Sequence, residues 1–305
     1  MKYVWLILCV GIFIGMSDNT HAEKVAILKS AEIRAYTEAI DAFKHALPAS
    51  FQVTLEYDLQ GDMAKGRSLA RRIRASDVNV VFAVGLKAAL AAKLEILDFP
   101  IIVCLVLDPK KYGLPTSNMV GISLQVPFKK HLKPLQTLIP QVSTIGVLFD
   151  PQKTKGLHDQ LRQDAKALGI TIISEEVHKE QEVSKALKAL EHKIDALWLL
   201  PDSTVLTENT LDFLISTTLE ANIPVVAFSA GLVQSGALVG AYINYADIGR
   251  QAAILAQRLL RETPSALLGT IVPPRHVRHA INRKSGAYLG FQIDSTMLRE
   301  FDEQY

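Results

Sequence analysis

Five short apolar runs in the first half of the chain recur, in the same order, in the second half. They begin near residues 25, 51, 78, 100 and 119, and their counterparts near 145, 170, 194, 224 and 237. The offset stays between 116 and 124 residues. Segments with apolar residues at helical spacing lie between the runs. In 31–47 Ile33, Tyr36, Ile40 and Phe43 share one side, and 64–74, 86–97, 157–168, 182–190 and 208–221 behave alike. Strand and helix in alternation predict parallel sheets joined by crossover helices. The runs at 78–84 and 194–200 are nearly continuous in apolar residues, as expected of strands covered on both faces. The repeat therefore predicts an α/β chain of two similar lobes, each a doubly wound parallel sheet.

After Tyr242 no third lobe begins. Residues 246–261 read as one amphipathic helix, with Asp247 near its start and Arg258 and Arg261 in its last turn, as the helix dipole favours. Short strands at 270–273 and 278–281 and a helical tail from 284 follow. These leftovers predict a chain that returns to the first lobe and crosses back, forming a multi-crossover hinge. The expected lobes are 23–125 with about 245–275, and 126–244 with about 276–305.

The first 22 residues read differently. Lys2 precedes an apolar run at 4–16, and Thr20-His21-Ala22 offers small side chains at a cleavage site. The run is shorter than the roughly 20 residues of a membrane span. A cleaved signal peptide and a periplasmic product are expected. Cys104 is then the one cysteine left, in the apolar run 100–106, where a buried small hydrophobe is the expectation.

Lys and Arg number 33 against 31 Asp and Glu, a net charge of +2. That balance gives no basic face for nucleic acid. The chain has no H-E-x-x-H, no G-x-S-x-G and no P-loop. The basic cluster Arg275-His276-Val277-Arg278-His279 lacks an acidic third ligand and reads as a solvated surface run. No catalytic residue, metal or cofactor is expected, and the chain reads as a binding protein rather than an enzyme.

Open α/β sheets bind ligands outside the carboxyl ends of their strands. That rule selects Ser30, Gly85 and Asp108 in the first lobe. In the second it selects Asp150, Asp202, Ser203, Thr204, Phe228 and Ser229, with Tyr242 at a crossing. The set suits a small ligand with an ammonium, a carboxylate and an apolar side chain. Asp202 is the candidate partner of the ammonium. Ser203, Thr204 and the N–H groups of a helix start are candidates for the carboxylate. Capping of a short helix is the alternative for Asp202 and Ser203. Asp108 and Asp150 each precede a proline and have a turn role as their alternative; Phe228 has core packing. Gly85 permits close approach of backbone to a ligand or to a helix.

Several segments together carry a family resemblance. They are Val84-Gly85 before an Ala-rich helix, Asp108-Pro109 followed by Tyr112-Gly113-Leu114, and 118–123 (NMVGIS). Then come 145–151 (IGVLFDP), 195–205 (DALWLLPDSTV), Ile223-Pro224-Val225 and Ser235-Gly236-Ala237-Leu238. The last are 248–253 (IGRQAA) and Ala280-Ile281-Asn282. In this order the chain resembles ABC-transporter substrate-binding proteins of the type that includes tryptophan- and tyrosine-binding members. The resemblance implies the fold of type I periplasmic binding proteins and an aromatic or other amino acid as ligand. It also implies a monomer that closes on its ligand and docks on an ABC permease. A sensory protein feeding a membrane receptor is the alternative, and a periplasmic enzyme on the same scaffold a weaker one.

Overall fold

The structure, a computed structural model, describes residues 22–261 and 266–305. The expected signal peptide, Ala22 apart, lies outside the described residues. In the first half β1 (Glu23–Lys29), β2 (Phe51–Asp58), β3 (Val80–Val84), β4 (Ile101–Cys104) and β5 (Met119–Ile122) alternate with α1 (Arg34–Ala46), α2 (Met63–Arg74) and α3 (Leu86–Glu95). After α4 (Phe128–Leu138) the pattern recurs as β6 (Thr144–Phe149), α5 (Pro151–Ala167), β7 (Thr171–Glu176), α6 (Val183–Leu190) and β8 (Ala196–Trp198). It continues with α7 (Glu208–Glu220), β9 (Val225–Ala227), α8 (Ala230–Gln234) and β10 (Val239–Tyr242). Last come α9 (Tyr245–Arg261), β11 (Thr270–Val272), β12 (Arg278–Ile281), α10 (Arg283–Tyr288), α11 (Ser295–Leu298) and β13 (Glu303–Gln304).

Two sheets result, as the repeat predicts. One has the order β11-β5-β4-β3-β1-β2 and the other β13-β12-β10-β9-β8-β6-β7. Pairing is parallel throughout except between β10 and β12. Alternate residues of one strand enter opposite layers. Val25 and Ile27 join Ile40 and Phe43 of α1 and Ala252 and Ala256 of α9. Ala26 and Leu28 join Leu69 and Ile73 of α2 and Ala88 and Ala92 of α3. Both faces are covered, so every position of such a strand must be apolar. Each fully buried aliphatic side chain contributes about 1.5–3 kcal/mol. Cys104 is among these buried residues, and burial pushes its thiol pKa up.

Helix α9 follows β10 of the second sheet but packs on the first. Its buried stripe, Ile248, Ala252, Ala253, Leu255, Ala256 and Leu259, joins the core that contains Ala39, Ile40 and Phe43 of α1. At the contact the two backbones touch. A Cβ on Gly249 would lie 2.0 Å from the Ala39 carbonyl oxygen and 3.0 Å from the Phe43 nitrogen. Strand β11 then pairs with β5, and β12 pairs with β10. The chain thus passes between the sheets after β5, after β10 and after β11.

The third passage is tied on both sides. The Gln251 side chain donates to the Pro273 carbonyl and accepts the Arg275 N–H, each at 2.9 Å. Arg278 Nε donates to Asp247 at 2.9 Å, and Arg250 pairs with the same carboxylate. The His279 N–H donates to Asp302 at 2.8 Å. Its ring Nε2 donates to the Lys130 carbonyl at 3.1 Å. That carbonyl would otherwise lose its helical partner, because Pro134 inside α4 has no N–H to give it. These bonds correct the expectation that 275–279 is a solvated run: Arg278 and His279 are half-buried and join separate elements. Burial alone would raise the pKa of Asp247, but hydrogen bonds from Arg278 and Arg250 outweigh it and hold the carboxyl below its ordinary range.

Replacing Gly249 by Ala should therefore cost about 2 kcal/mol or more in urea unfolding, because a Cβ meets backbone that cannot yield. The Asp247 linkage has a defined sign. A depressed carboxyl pKa stabilises the fold above the ordinary value of 3.8, and the stabilisation fades as pH falls through the lower folded value. Asp247→Asn should accordingly show a shallower loss of stability than the parent between about pH 5 and pH 2, measured by denaturation at each pH.

Candidate functional site

The carboxyl ends of β1 and β3 frame a recess of about 270 Å³. Ser30, Ile33, Tyr36, Gly61, Leu86 and Lys87 line it. Ser30 is buried; its hydroxyl donates to the Val84 carbonyl at 3.0 Å and accepts the Ala88 N–H at 2.9 Å. The hydroxyl thus ties β1 to the first turn of α3. Gly85 begins that helix with a φ of 86°. A Cβ there would fall 2.5 Å from Tyr36 Oη and 2.7 Å from Ser30 Oγ. Glycine is therefore required twice, by the left-handed backbone and by the phenol above it. Burial raises the Tyr36 pKa, and the neighbouring Cys104 adds to the shift, so the phenol stays a donor at neutral pH.

Two helices start at this recess on residues that give no side-chain cap, although Ser30 Oγ takes the Ala88 N–H of α3. The N-cap of α3 is Gly85 and that of α1 is Ile33, and neither contributes a capping hydrogen bond. The first-turn N–H groups of a helix carry the positive end of its dipole. The Lys87 ammonium, bonded to the Gly61 carbonyl, adds a full positive charge on the same rim.

At the carboxyl ends of the second sheet the polar groups are engaged with one another. Asp202 is 1% exposed. It accepts the Asp150 N–H at 2.7 Å, the Thr204 N–H at 2.9 Å, the Val205 N–H at 3.3 Å and the Thr154 hydroxyl. Asp150 caps α5 by accepting the Gln152 N–H at 2.9 Å, and it also accepts the Thr204 hydroxyl at 2.7 Å. The Thr204 hydroxyl and the Gln152 N–H hold its carboxyl below the ordinary range. Ser203 is exposed and accepts from Lys153 Nζ at 2.9 Å.

The structure thus brings Ser30 and Gly85 to one recess, and Asp150, Asp202 and Thr204 to one buried network beside Ser203. The other candidates have partners within the chain. Asp202 does not offer its carboxylate to an ammonium, because four donors of its own chain occupy it. Thr204 turns inward to Asp150. Tyr242 is buried and donates to Glu303 at 2.6 Å; burial and Glu303 raise its pKa. Phe228 packs against the core that holds Leu199, Val225 and Val233. Ser229 caps α8 by accepting the Leu232 N–H at 3.3 Å. Asp108 is exposed and accepts one N–H, from Lys111 at 3.3 Å. Ala31, Ile33, Tyr36, Gly61, Leu86 and Lys87 are the lining residues that sequence reasoning missed. Gly61 follows β2 and Lys87 follows Gly85, so the strand-end rule reaches both; Tyr36 gave only a core signal. Asp202→Ala should lower the unfolding free energy by about 2–4 kcal/mol by orphaning buried donors, read by urea denaturation.

The profile of a family described as ABC transporter substrate binding protein matches residues 24–304. A tyrosine-binding protein of Clostridioides difficile is 29% identical over 209 residues, 66% of this chain and 60% of that one. The match therefore spans less than two thirds of that relative's length. The ligand-free, open structure of a substrate-binding protein with adhesive properties from Clostridium difficile superposes with a TM-score of 0.78 at 24% identity. It covers 92% of this chain and 99% of that chain. An ABC domain from Streptococcus pneumoniae in complex with L-Trp gives 0.59 at 19% identity, covering 93% and 100%. Both superpositions show the same fold, two parallel-dominated sheets of the type I periplasmic binding kind. On the profile match over nearly its whole described length, the chain belongs to the ABC transporter substrate binding protein family.

Proposed function

We propose that this protein captures an amino acid, preferentially an aromatic one, between the carboxyl ends of its two sheets and delivers it to an ABC permease. The observation that carries the reading is the Ser30 recess, where two helix starts and the Lys87 ammonium meet an apolar wall. A ligand carboxylate is stabilised by such N–H groups. Ile33, Leu86 and the Tyr36 ring supply the surface for an apolar or aromatic side chain. Asp108 keeps more acceptor capacity than Asp150 or Asp202 and is the acid assigned to the ammonium. Leu107 beside it, 83% exposed, is surface that a bound side chain would cover. The name of the tyrosine-binding relative and the L-Trp complex support the ligand class.

The same reading places the protein outside the cytoplasmic membrane, released by cleavage after residue 22. No helix among the described residues is long and apolar enough to cross a membrane. Lobes of 23–125 with about 245–275, and 126–244 with about 276–305, close on the ligand about the three passages. Closure is a shift of population towards the liganded state.

Thermal unfolding with L-tyrosine, L-tryptophan and tyramine tests the proposal. A ligand at 100 times its dissociation constant adds about 2.7 kcal/mol. The two amino acids are expected to raise the melting temperature and tyramine, without a carboxylate, to fail. Lys87→Gln should weaken binding by about tenfold, seen also in the fluorescence of Trp198, which stacks on Phe128 at 4.8 Å in the second lobe. No shift with either amino acid at millimolar concentration overturns the ligand class.

A further inference from the structure

Two hydroxyls stand over Gly85, where a Cβ would fall 2.5 Å from Tyr36 Oη and 2.7 Å from Ser30 Oγ. They differ in what they have left to give. A hydroxyl has one proton to donate. Ser30 spends its proton on the Val84 carbonyl at 3.0 Å and accepts the Ala88 N–H at 2.9 Å. Tyr36 Oη has no hydrogen-bond partner among the described residues. Its ring packs against the core that holds Val84 and Cys104, so the place of the hydroxyl is fixed and only the O–H direction is free.

No acid of the chain is at hand to satisfy that donor. None of the residues lining the recess is a carboxylate. Glu32, four positions before Tyr36, is taken by Lys29 and by the Thr37 hydroxyl. Asp62, next to Gly61, accepts the Ala64 N–H at 2.7 Å and the Lys65 N–H at 3.2 Å. The N–H groups of Leu86 and Lys87, which follow Gly85, have no acceptor among the described residues; Ala88 is the first residue of α3 whose N–H finds one. An O–H and two N–H groups thus surround one glycine, with the Lys87 ammonium on the same rim. A carboxylate suits such a set, because its two oxygens offer about four acceptor positions. Hydrogen bonds to an ionised acceptor are also roughly twice as strong as neutral ones.

We propose that the Tyr36 hydroxyl is the specificity-determining donor to the ligand carboxylate, a role that rests on the Ser30 recess being the seat of the ligand. Ser30 is then a positioning residue: its hydroxyl is spent inside the chain and ties α3 to β3 beneath the carboxylate. Tyr36 serves with both ends of its side chain, the ring towards the apolar body of the ligand and the oxygen towards its acid.

Calorimetric titration of the full chain and of Tyr36→Phe tests this, with L-tryptophan, L-tryptophanamide and 3-phenylpropionate as probes. The variant removes one oxygen and keeps the ring. It is expected to bind L-tryptophan about tenfold more weakly. L-Tryptophanamide, which lacks the negative charge, should lose no more than about threefold, so the preference for acid over amide narrows. 3-Phenylpropionate, with a carboxylate and no ammonium, should lose about tenfold. Equal losses for acid and amide overturn the proposal, because a merely structural role weakens both alike. Unchanged affinity for the acids overturns it too. If neither L-tryptophan nor 3-phenylpropionate binds the parent, the recess is not the ligand's seat and the role of Tyr36 falls with it. If 3-phenylpropionate alone binds and loses tenfold in the variant, the amino-acid class falls and the role of Tyr36 stands.

Discussion

Everything in the connectivity of this protein depends on a backbone contact between α9 and α1. Gly249 brings its helix against the Ala39 carbonyl with no side chain between them. The contact holds α9, which the chain reaches only after completing β10, in the core of the first sheet. From there β11 extends the first sheet at β5, and the chain must cross again to reach β12. Gln251 and Asp247, on the same helix, then hold the third passage at Pro273, Arg275 and Arg278. A larger residue at 249 would separate the helices and loosen the points from which that passage is tied.

The two sheets share a fold but not an electrostatic design. Helix α6 has no side-chain cap, but three helix starts of the second sheet carry their own: Asp150 for α5, Thr207 for α7 and Ser229 for α8. Asp202 does the same for the turn at Thr204 and Val205. In the first sheet α2 is capped by Asp62, α3 begins on Gly85 with Ser30 Oγ taking its Ala88 N–H, and α1 begins on Ile33 without a side-chain cap. The second lobe offers a rigid wall, because its acids hold their own backbone.

Much of the fold was legible because burial on both faces writes itself into consecutive residues. The run at 80–84 is apolar at every position for that reason. Helix α4 was not legible. Pro134 reads as a break, and the compensating donor, the His279 ring, comes from a residue 149 positions away. The basic cluster misled for a related reason: Arg278 and His279 look solvated until their partners Asp247 and Lys130 are placed beside them. At the site the strand-end rule reached Ser30 and Gly85 directly. It reached Asp202 and Tyr242 as well, yet could not tell that the first faces four donors of its own lobe and the second Glu303.

The sequence by itself determined the two parallel-dominated sheets and where their strands end. These follow from periodicity, a local property read over a few residues. Tertiary structure alone decided which of the polar groups at those ends remain available. Asp150 and Asp202 meet across 52 positions, Ser30 and Ala88 across 58. A hydrogen bond satisfies a group wherever its partner lies in the chain, so availability is a property of the packed molecule and not of the spacing.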